Sequence, residues 1–550
     1  MQNTFDTTRR SFLKGAGAAM ATVAAAGLVG CAPTGKSESA SNTTATTNGS
    51  ESSWDEEFDV VVVGAGIAGL TAAVTVAREG NGASCLLCEK GDVPSGISPF
   101  CAGDSSWTTE PDGYYEYLKA LAGPHTTIPD AMFRTFADGL ATVKDWVVEI
   151  GAPEDEMQVL PNGTPSDPVC NVDVVWPQLE GAYAHGMFTV GGILRDEPDR
   201  QLKGANHIHP FLVQKVQEYS DVIDYRTGTP MEDLIKDETG TIVGLIADGK
   251  RIKANKGVIM CCGGFESNEG MKENYFGVAT AIPGAGIANT GDGHRACAKI
   301  GADFWHMNGL SGIWLAPRNL ENTESTVPTV GGPDVKRYGI TVGDNGRRFY
   351  MDYDALCTNL GAPYLSESVS VARGMKYGHT NFGGDWVWQC MPTTPTWFVF
   401  DQAGLEAGAI PADVTSDPVA DGYAYKADTL ADLAKQMDVP ADELEKTVEL
   451  WNQFCTNGED LSFYRPNDTL TPVAAGPFYA QLCAPTFLNT YGGPVRNEKS
   501  EVLDPDGNPI PGLYSAGEFG SMWARLYQGS GNVAECLIFG RIAAQSALAR

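Results

Sequence analysis

A glycine-rich turn between an apolar strand and an apolar helix constrains this chain more than any other feature. Residues 59–63 predict a buried parallel strand, and Gly64-Ala65-Gly66-Ile67-Ala68-Gly69 leads from it into a helix predicted over 70–78. A second strand, predicted over 83–88, ends at Glu89, where an acid can accept hydrogen bonds from a ribose. This spacing is typical of a dinucleotide-binding βαβ unit, in which the glycines allow a tight turn, a close approach to a pyrophosphate and helix packing. A glycine-rich loop without a ligand is the alternative.

The first 56 residues predict an export signal and a linker. Arg9-Arg10 precedes an apolar run that is short for a membrane span. Leu28-Val29-Gly30-Cys31 is typical of a bacterial lipobox, so we expect residues 1–31 to be a twin-arginine signal peptide and Cys31 to carry lipid. The polar residues 32–56 predict a disordered tether. These features predict a lipoprotein anchored on the outer face of the cytoplasmic membrane, with a plain cleaved signal as the alternative.

The charge of the chain argues against two classes of partner. Its 550 residues contain 69 acidic and 38 basic side chains, and the formal net charge is −31. Such acidity argues against binding to nucleic acid and against direct adsorption to anionic lipid. It suits a basic redox partner, although acidic surfaces also serve solubility. The length beyond the tether is enough for two domains with large cores.

The remaining sequence predicts an α/β fold in which one domain interrupts another. Residues 221–260 predict β-hairpins. The next stretch is rich in Trp, Tyr, Gly and Pro and ends in a helical run over 429–454. A strand, a glycine-rich loop and a last helix then return to the pattern of the first domain. We therefore expect the first domain at 57–304 and 487–550, with an α+β domain inserted at 305–486.

Several short motifs, in this order, resemble the flavoprotein family of fumarate reductases and 3-ketosteroid dehydrogenases. They are Gly64 to Gly69, Glu89-Lys90, Cys262-Gly263-Gly264-Phe265, Thr290-Gly291-Asp292-Gly293, Gly346-Arg347-Arg348-Phe349, Thr490-Tyr491-Gly492-Gly493 and Gly512-Leu513-Tyr514-Ser515-Ala516-Gly517-Glu518. The resemblance implies FAD, a Rossmann-like FAD-binding domain and a mobile capping domain, with the active site between them. It also implies hydride exchange between flavin N5 and a carbon next to an electron-withdrawing group.

The resemblance also implies which residues bind the cofactor. The implied FAD-binding residues are Gly64, Gly66, Ala68, Gly69, Glu89, Lys90, Ser95, Gly96, Ser98, Gly103, Gly263, Gly264, Asp292, Gly517, Glu518, Gly531 and Asn532. Family members with covalent FAD carry a His in the loop after the ribose-binding acid, whereas residues 95–104 contain none. We therefore expect non-covalent FAD.

Two departures from the fumarate reductases concern the electron acceptor. Asn489 stands where those enzymes have a His that holds a substrate carboxylate, and Gln528 stands where they have an Arg that clamps a second carboxylate. Arg525 lies nearby but out of register. A neutral amide cannot neutralise a carboxylate, so fumarate is not expected as the acceptor. The residues expected to bind the acceptor are Asn489, Thr490, Tyr491, Gln528 and Gly531.

The last glycine-rich loop instead resembles that of the ketosteroid dehydrogenases. Tyr527-Gln528-Gly529-Ser530-Gly531 matches their Tyr-x-Gly-x-Gly pattern, in which the Tyr hydroxyl and the second Gly N–H hold a ketone oxygen. Such a pair stabilises the charge that develops when an enone is reduced or a ketone is enolised. The alternative is that Tyr527 only packs on the flavin and that the glycines only admit the pyrophosphate.

Three side chains are implied to be catalytic. Arg348 matches the arginine that delivers the proton in fumarate reductases, Asp352 can orient it, and Tyr527 is the first alternative donor. The other interpretation is that Arg348 forms a structural ion pair with Asp352 or with a carboxylate on the flavin side. His207 and His209 have no third ligand at a suitable spacing, so no metal site is predicted.

Three functions are compatible with these features. The first is an exported FAD-dependent reductase of an activated C=C bond in a small organic acceptor of the enoate or enone type. Its electrons would come from a separate partner, such as a membrane quinol-linked cytochrome, because the chain has no CxxCH haem motif. The second is a dehydrogenase that removes hydrogens α,β to a ketone. The third is a non-catalytic, ligand-binding surface lipoprotein.

Overall fold

The fold is that of a computed structural model, which describes residues 53–94, 96–101, 103–163, 179–190, 208–277, 281–283, 286–311, 314–320, 337–349, 395–410, 415–523 and 527–550. The described strands are β1 (Glu56–Val63), β2 (Cys85–Cys88), β3 (Ser105–Trp107), β4 (Gln158–Leu160), β5 (Gly186–Thr189), β6 (Ile223–Arg226), β7 (Met231–Lys236), β8 (Ile242–Ala247), β9 (Lys250–Met260), β10 (Ile282–Pro283), β11 (Phe304–Trp305), β12 (Leu310–Ser311), β13 (Trp314–Pro317), β14 (Ile340–Val342), β15 (Thr396–Asp401), β16 (Tyr425–Ala427), β17 (Phe478–Phe487), β18 (Asn489–Thr490), β19 (Gly493–Pro494), β20 (Glu501–Leu503) and β21 (Pro509–Ser515). The described helices are α1 (Ile67–Glu79), α2 (Pro111–Ala122), α3 (Asp130–Glu149), α4 (Ile208–Glu218), α5 (Glu269–Phe276), α6 (Asp292–Ile300), α7 (Gln402–Glu406), α8 (Leu430–Met437), α9 (Ala441–Asn457) and α10 (Gly531–Ala549).

The larger sheet is built around the predicted nucleotide-binding strand. β1 pairs in parallel with β2 on one side and with β9 on the other, and β6 and β21 extend this parallel order outward. Val60 and Val62 belong to the apolar cluster of α1 and α10, whereas Val61 and Val63 belong to a second cluster on the opposite face. Burial on both faces explains why this strand reads as an unbroken apolar run. The predicted α/β class is confirmed.

The hairpins predicted over 221–260 are right only in part. β7, β8 and β9 form an antiparallel meander, and the turn at Glu238-Thr239-Gly240 joins the first two of these strands. β6 is not part of a hairpin but pairs in parallel with β2 at the edge of the sheet. The crossover through α4 delivers β6 to that edge, which a local strand pattern cannot predict.

The single helical run predicted over 429–454 is wrong, because the structure has two helices there. α8 ends where Asp438 adopts a left-handed conformation with φ of 57°, and Pro440 precedes α9. Proline has no backbone N–H and cannot continue a helix from the preceding turn. Both helices contribute to one apolar cluster, which includes Leu433, Leu444 and Trp451.

A six-stranded second sheet takes most of its strands from the region predicted as the inserted domain, but its strand β10 (Ile282–Pro283) comes from the predicted first domain. β17 pairs with β10, β13, β15 and β16, and β14 completes the sheet beside β15. A two-stranded antiparallel arrangement then joins this sheet to the rest of the fold. Its pairs run from Trp314 with Thr486, through Leu310 with Thr490, to Phe304 with Pro494. The predicted acceptor motif at 489–491 therefore lies in the segment that connects the two sheets.

The remaining sequence predictions concern the tether, the signal peptide, the domain boundaries and the membrane. β1 begins at Glu56, so the last residue of the predicted tether belongs to the sheet. The signal peptide and Cys31 lie outside the described residues, and the predicted domain boundaries at 304 and 487 stay predictions. In the part of the chain that the structure describes, no helix combines the length and apolar character needed to cross a bilayer.

Candidate active site

The first glycine-rich turn leaves no space for side chains. A Cβ atom on Gly69 would lie 1.9 Å from the carbonyl oxygen of Gly64, and one on Gly64 would lie 2.3 Å from the carbonyl oxygen of Cys261. Gly64 also has a φ of 101°, which other residues rarely adopt. Because the obstructing atoms belong to the backbone, the turn requires glycine at both positions.

Polar side chains from other segments cover the amide groups of this turn. Ser98 Oγ accepts from Ile67 N–H at 3.0 Å, at the first residue of α1. Glu89, at the end of β2, accepts from the N–H of Ala65 and of Gly91 at 3.0 Å each. The predicted ribose-binding acid therefore lies on the phosphate-binding turn itself. Gly517 completes this corner, because its Cβ would lie 2.9 Å from that of Ala68.

Two of the predicted motifs, Glu89-Lys90 and Thr290-Gly291-Asp292-Gly293, meet through a lysine and an aspartate. Lys90 Nζ lies 2.7 Å from Asp292 Oδ2 and 2.6 Å from Thr290 Oγ1, and Asp292 begins α6. Burial opposes ionisation of Asp292, but the hydrogen bonds from Lys90 and Thr290 prevail and lower its pKa. The two predicted cofactor residues, Lys90 and Asp292, thus form one half-exposed ion pair.

A third corner brings together loops around residue 289. The glycine at 263 has a φ of 64°, and its Cβ would lie 2.9 Å from the side chain of Asn289. A Cβ on Gly96 would lie 3.5 Å from Oδ1 of the same asparagine. A Cβ on Gly264 would lie 2.1 Å from Thr490 Oγ1. The predicted cofactor loop and the predicted acceptor motif are therefore in direct contact.

Glu266 is a buried acid at this corner that sequence reasoning missed. It has no exposed surface, and it accepts hydrogen bonds from Asn289 Nδ2 at 2.5 Å and from Thr490 Oγ1 at 3.1 Å. Burial raises its pKa to about 7. The signal was an acid placed directly after the motif Cys262 to Phe265, where the apolar stretch ends.

A second acid lies beside it on the other predicted acceptor residue. Asn489 Nδ2 donates to Glu518 Oε1 at 2.5 Å. Burial of the carboxyl group, and then the charge of Glu266, raise the pKa of Glu518 well above its usual range. The amide of Asn489 is thus engaged by an acid of the protein at the position where fumarate reductases hold a substrate carboxylate.

The last glycine-rich loop places Tyr527 at the start of α10. Its hydroxyl oxygen accepts from Asn532 N–H at 3.1 Å, and its ring lies against those of Tyr491 and Trp523, with centroids 6.1 and 5.4 Å away. Burial of the hydroxyl raises the pKa of Tyr527 well above its ordinary value. The Gly531 N–H donates to Gly529 O at 2.6 Å, so the structure directs this predicted oxyanion donor into the loop.

Gln528 points away from the open surface and into the protein. Its side chain is 1% exposed, and its Nε2 donates to Tyr114 Oη at 2.6 Å. Tyr114 in turn lies 3.2 Å from His185 Nδ1. Sequence reasoning missed Tyr114 and His185, because neither lies in a motif and both are distant in sequence from the loop.

Arg348 lies in the cluster of the second sheet. Its Nη2 is 2.8 Å from Asp460 Oδ2, and the two side chains are 5% and 0% exposed. The guanidinium also lies over the rings of Trp451 and Phe463, at 4.6 and 5.2 Å from their centroids. These contacts match the interpretation of Arg348 as a structural ion pair, with Asp460 as its partner. Asp352 and three other residues named in the sequence analysis lie outside the described residues: Ser95, His207 and Arg525.

Two further observations bear on what the site can hold. The described residues contain no group of three or more His, Cys, Asp or Glu side chains placed to hold a metal ion. The glycine cradle of the first turn, with its backbone N–H groups at the start of α1, fits the pyrophosphate of a dinucleotide. The fold and the site together define a flavin-dependent oxidoreductase.

Residues 59–533 match the family described as the FAD binding domain, and the chain belongs to that family. The digoxin reductase of Eggerthella lenta is 27% identical over 98% of this chain and 97% of its own length. The 3-oxosteroid 1-dehydrogenase of Mycolicibacterium smegmatis is 27% identical over 89% of this chain and 97% of its own length. The crystal structure of a 3-ketosteroid Δ1-dehydrogenase from Sterolibacterium denitrificans has the same fold, with a TM-score of 0.65, 22% identity and coverage of 90% of this chain and 100% of that one. The predictions of the family, of FAD and of an oxidoreductase acting on CH–CH or C=C groups are confirmed.

Proposed function

We propose that this protein reduces an activated C=C bond in a small organic acceptor other than fumarate. The proposal rests on the hydrogen bonds that two amide side chains, Asn489 and Gln528, donate. Each stands where the resemblance implies a carboxylate clamp, and each donates inward, to Glu518 and to Tyr114. Neither amide can therefore neutralise a dicarboxylate, whereas the site keeps Tyr527 for a carbonyl oxygen or a proton transfer.

Bound FAD supplies the hydride from N5. The protein must then provide a proton, or a hydrogen bond, where negative charge develops on the acceptor. We assign this role to Tyr527, whose raised pKa keeps its hydroxyl protonated at neutral pH. Arg348 is a weaker choice, because a guanidinium is a poor acid and this one is paired with Asp460. Its proposed role is to stabilise the second sheet.

The remaining parts of the proposal concern the cofactor bond, the electron source and the place of the enzyme. FAD is bound non-covalently, since the loop after Glu89 lacks a His. Electrons come from a separate partner, such as a membrane quinol-linked cytochrome. We also propose that the enzyme is exported by the twin-arginine route and held by lipid at Cys31 on the outer face of the cytoplasmic membrane, as the motifs at Arg9-Arg10 and Leu28 to Cys31 predict.

The test is the oxidation of reduced viologen by the purified holoprotein with a panel of acceptors. We expect turnover with one or more of 4-phenylbut-3-en-2-one, cinnamate and related enones or enoates, none with fumarate, and a large loss in Tyr527→Phe. Arg348→Lys, which keeps the charge beside Asp460, should retain most of the turnover number. Acid denaturation should release FAD into the supernatant. The absence of acceptor-dependent oxidation across the whole panel would contradict the proposal.

The Tyr527-x-Gly529-x-Gly531 pattern also favours a second function, the removal of hydrogens α,β to a ketone. The two directions are distinguished by mixing the oxidised holoprotein with a 3-ketosteroid under anaerobic conditions. Bleaching of the flavin absorbance by the steroid would support the dehydrogenase, whereas an unchanged spectrum together with viologen-dependent reduction of enones supports the reductase.

A further inference from the structure

We propose that Gln528 is a positioning residue that does not contact the acceptor, and that with Tyr114 and His185 it holds the loop carrying Tyr527. The kinetic part of this inference rests on the proposed function of Tyr527. It reverses the role that the resemblance implies for residue 528, which is contact with the acceptor.

The first support is the path of the Gln528 side chain. It is almost completely buried, and it donates to Tyr114 Oη at 2.6 Å in α2. A Cβ on Gly531 would lie 2.6 Å from Gln528 Nε2 and 3.0 Å from its Oε1. The amide is therefore folded back across its own loop, and a side chain at 531 would displace it.

The second support is that the contact with Tyr114 continues into a chain of hydrogen bonds. Tyr114 Oη lies 3.2 Å from His185 Nδ1, and His185 Nε2 lies 3.5 Å from Ser530 Oγ. Ser530 Oγ lies 2.8 Å from Ser106 Oγ, and Ser106 N–H donates to Ser530 O at 3.2 Å. The chain thus leaves the loop at Gln528 and returns to it at Ser530, so that the loop is held at two points by α2, β3 and the segment before β5.

The third support is the backbone conformation between those two points. Gly529 has a φ of 83° and Ser530 a φ of 54°, and the latter is unfavourable for a residue with a side chain. Such conformations persist where the surroundings determine them. The hydrogen bonds of Ser530 to Ser106 are those surroundings, and Tyr527 stands directly before this segment.

The groups that surround residue 528 are uncharged, and they therefore suit the neutral side chain of glutamine. Burial lowers the pKa of His185 to about 4, so its ring is uncharged at neutral pH, and burial raises the pKa of Tyr114. An arginine at 528 would place a charge among these neutral groups, and a buried charge without a partner is costly. The position therefore excludes the carboxylate clamp of fumarate reductases by its surroundings as well as by its own chemistry.

The experiment is a double-mutant cycle in the holoprotein with Gln528→Met and Tyr114→Phe, read with the acceptor of highest turnover. The matched controls are Gln217→Met and Tyr183→Phe, whose side chains are exposed. We expect each inner substitution to lower kcat by about tenfold or more while KM stays within about twofold, because a loop misplaced by a fraction of an ångström loses the reacting geometry. The double variant should lose little more than the worse single variant, because the two side chains act as one unit.

Three results would overturn the inference. One is a rise in KM at constant kcat for Gln528→Met, which would mean that the amide binds the acceptor. Another is fully additive losses in the cycle. The last is fumarate reduction by Gln528→Arg, which we expect to be inactive on fumarate and to melt at a lower temperature.

A wild-type enzyme that turns over no acceptor would contradict the proposed function instead. In that case the coupling of Gln528 to Tyr114 is read from the melting temperatures of the same four proteins. Non-additive shifts are expected, and additive shifts would overturn the network.

Discussion

The two glycine-rich loops of this protein, at 64–69 and 527–531, are held in different ways. In the first loop, a Cβ atom placed on Gly69 or on Gly64 would lie only 1.9 or 2.3 Å from a backbone carbonyl oxygen, that of Gly64 or of Cys261. In the second, the nearest atoms to a Cβ on Gly531 belong to the side chains of Trp523 and Gln528. Backbone packing can be satisfied only by glycine, whereas side-chain packing can be satisfied by many combinations. The comparison therefore separates a predicted cofactor loop that requires glycine at 64 and 69 from a proposed acceptor loop that is open to change.

The sharpest test of the comparison is Gly69→Ala against Gly531→Ala. We expect Gly69→Ala to destabilise the fold by about 5 kcal/mol or more and to abolish FAD retention, since the clash is with a carbonyl oxygen that cannot move without breaking the turn. Gly531→Ala should cost about 1–3 kcal/mol and keep FAD, since the clash is with the side chains of Trp523 and Gln528, which can shift, and not with backbone. Thermal unfolding and the flavin-to-protein absorbance ratio measure both effects.

The control for this pair is Gly270→Ala, an exposed position in α5 where a Cβ has space. It should be neutral or slightly stabilising. Equal FAD content in Gly69→Ala and Gly270→Ala would contradict the claim that the first loop requires glycine at residue 69.

A second test removes a buried ion pair that holds residues 521 and 522, in the segment before the last glycine-rich loop. Arg496 and Glu535 form an ion pair in which both side chains have no exposed surface, and Glu535 also accepts from Ser521 Oγ at 2.6 Å and Met522 N–H at 2.8 Å. Glu535→Gln should cost about 3–5 kcal/mol, because it leaves the charge of Arg496 buried without a partner. Chemical denaturation measures the change.

Asp442→Asn is the matched control for this second test. It removes one of the two acidic partners of Lys446 on the exposed side of α9, and it should leave the denaturation midpoint unchanged. A midpoint shift in Glu535→Gln as small as that of the control would show that the buried pair does not support this segment.

The smallest effect is a pH dependence at Glu266, which contacts the acceptor strand through Thr490. Its pKa is raised to about 7 in the folded protein, from an ordinary value of 4.5, so the folded state favours the protonated form. This contribution to stability is complete below pH 4.5 and is lost as the pH rises to about 7. Relative to Glu266→Gln, the wild type should lose about 3 kcal/mol over that range and remain constant above it.

Measuring the difference between the two proteins cancels the titration of other groups. Glu518 and Lys272 also face Glu266, so the same series in Glu518→Gln checks for coupling. A difference between wild type and Glu266→Gln that does not change with pH would contradict the assignment.

The parts of the fold that the sequence predicted are those set by neighbouring residues. The strand at 59–63, the glycine turn and α1 follow from hydrophobic period and glycine spacing over about twenty residues. One error arises where distant segments decide, because β6 joins the sheet edge through a crossover. The other is local: the helix over 429–454 breaks at Asp438, and Pro440 was a signal in the sequence that the hydrophobic period overrode.

The candidate site divides in the same way. The sequence by itself determined the glycine cradle and the family, and it predicts the loss of both carboxylate clamps, because these depend on which residue stands at a given place in a short motif. Only the tertiary structure decided that Gln528 donates to Tyr114, that Arg348 pairs with Asp460, and that Glu266 lies beside Thr490. Those contacts join residues more than a hundred positions apart, and their energies depend on burial, which no local pattern of residues contains.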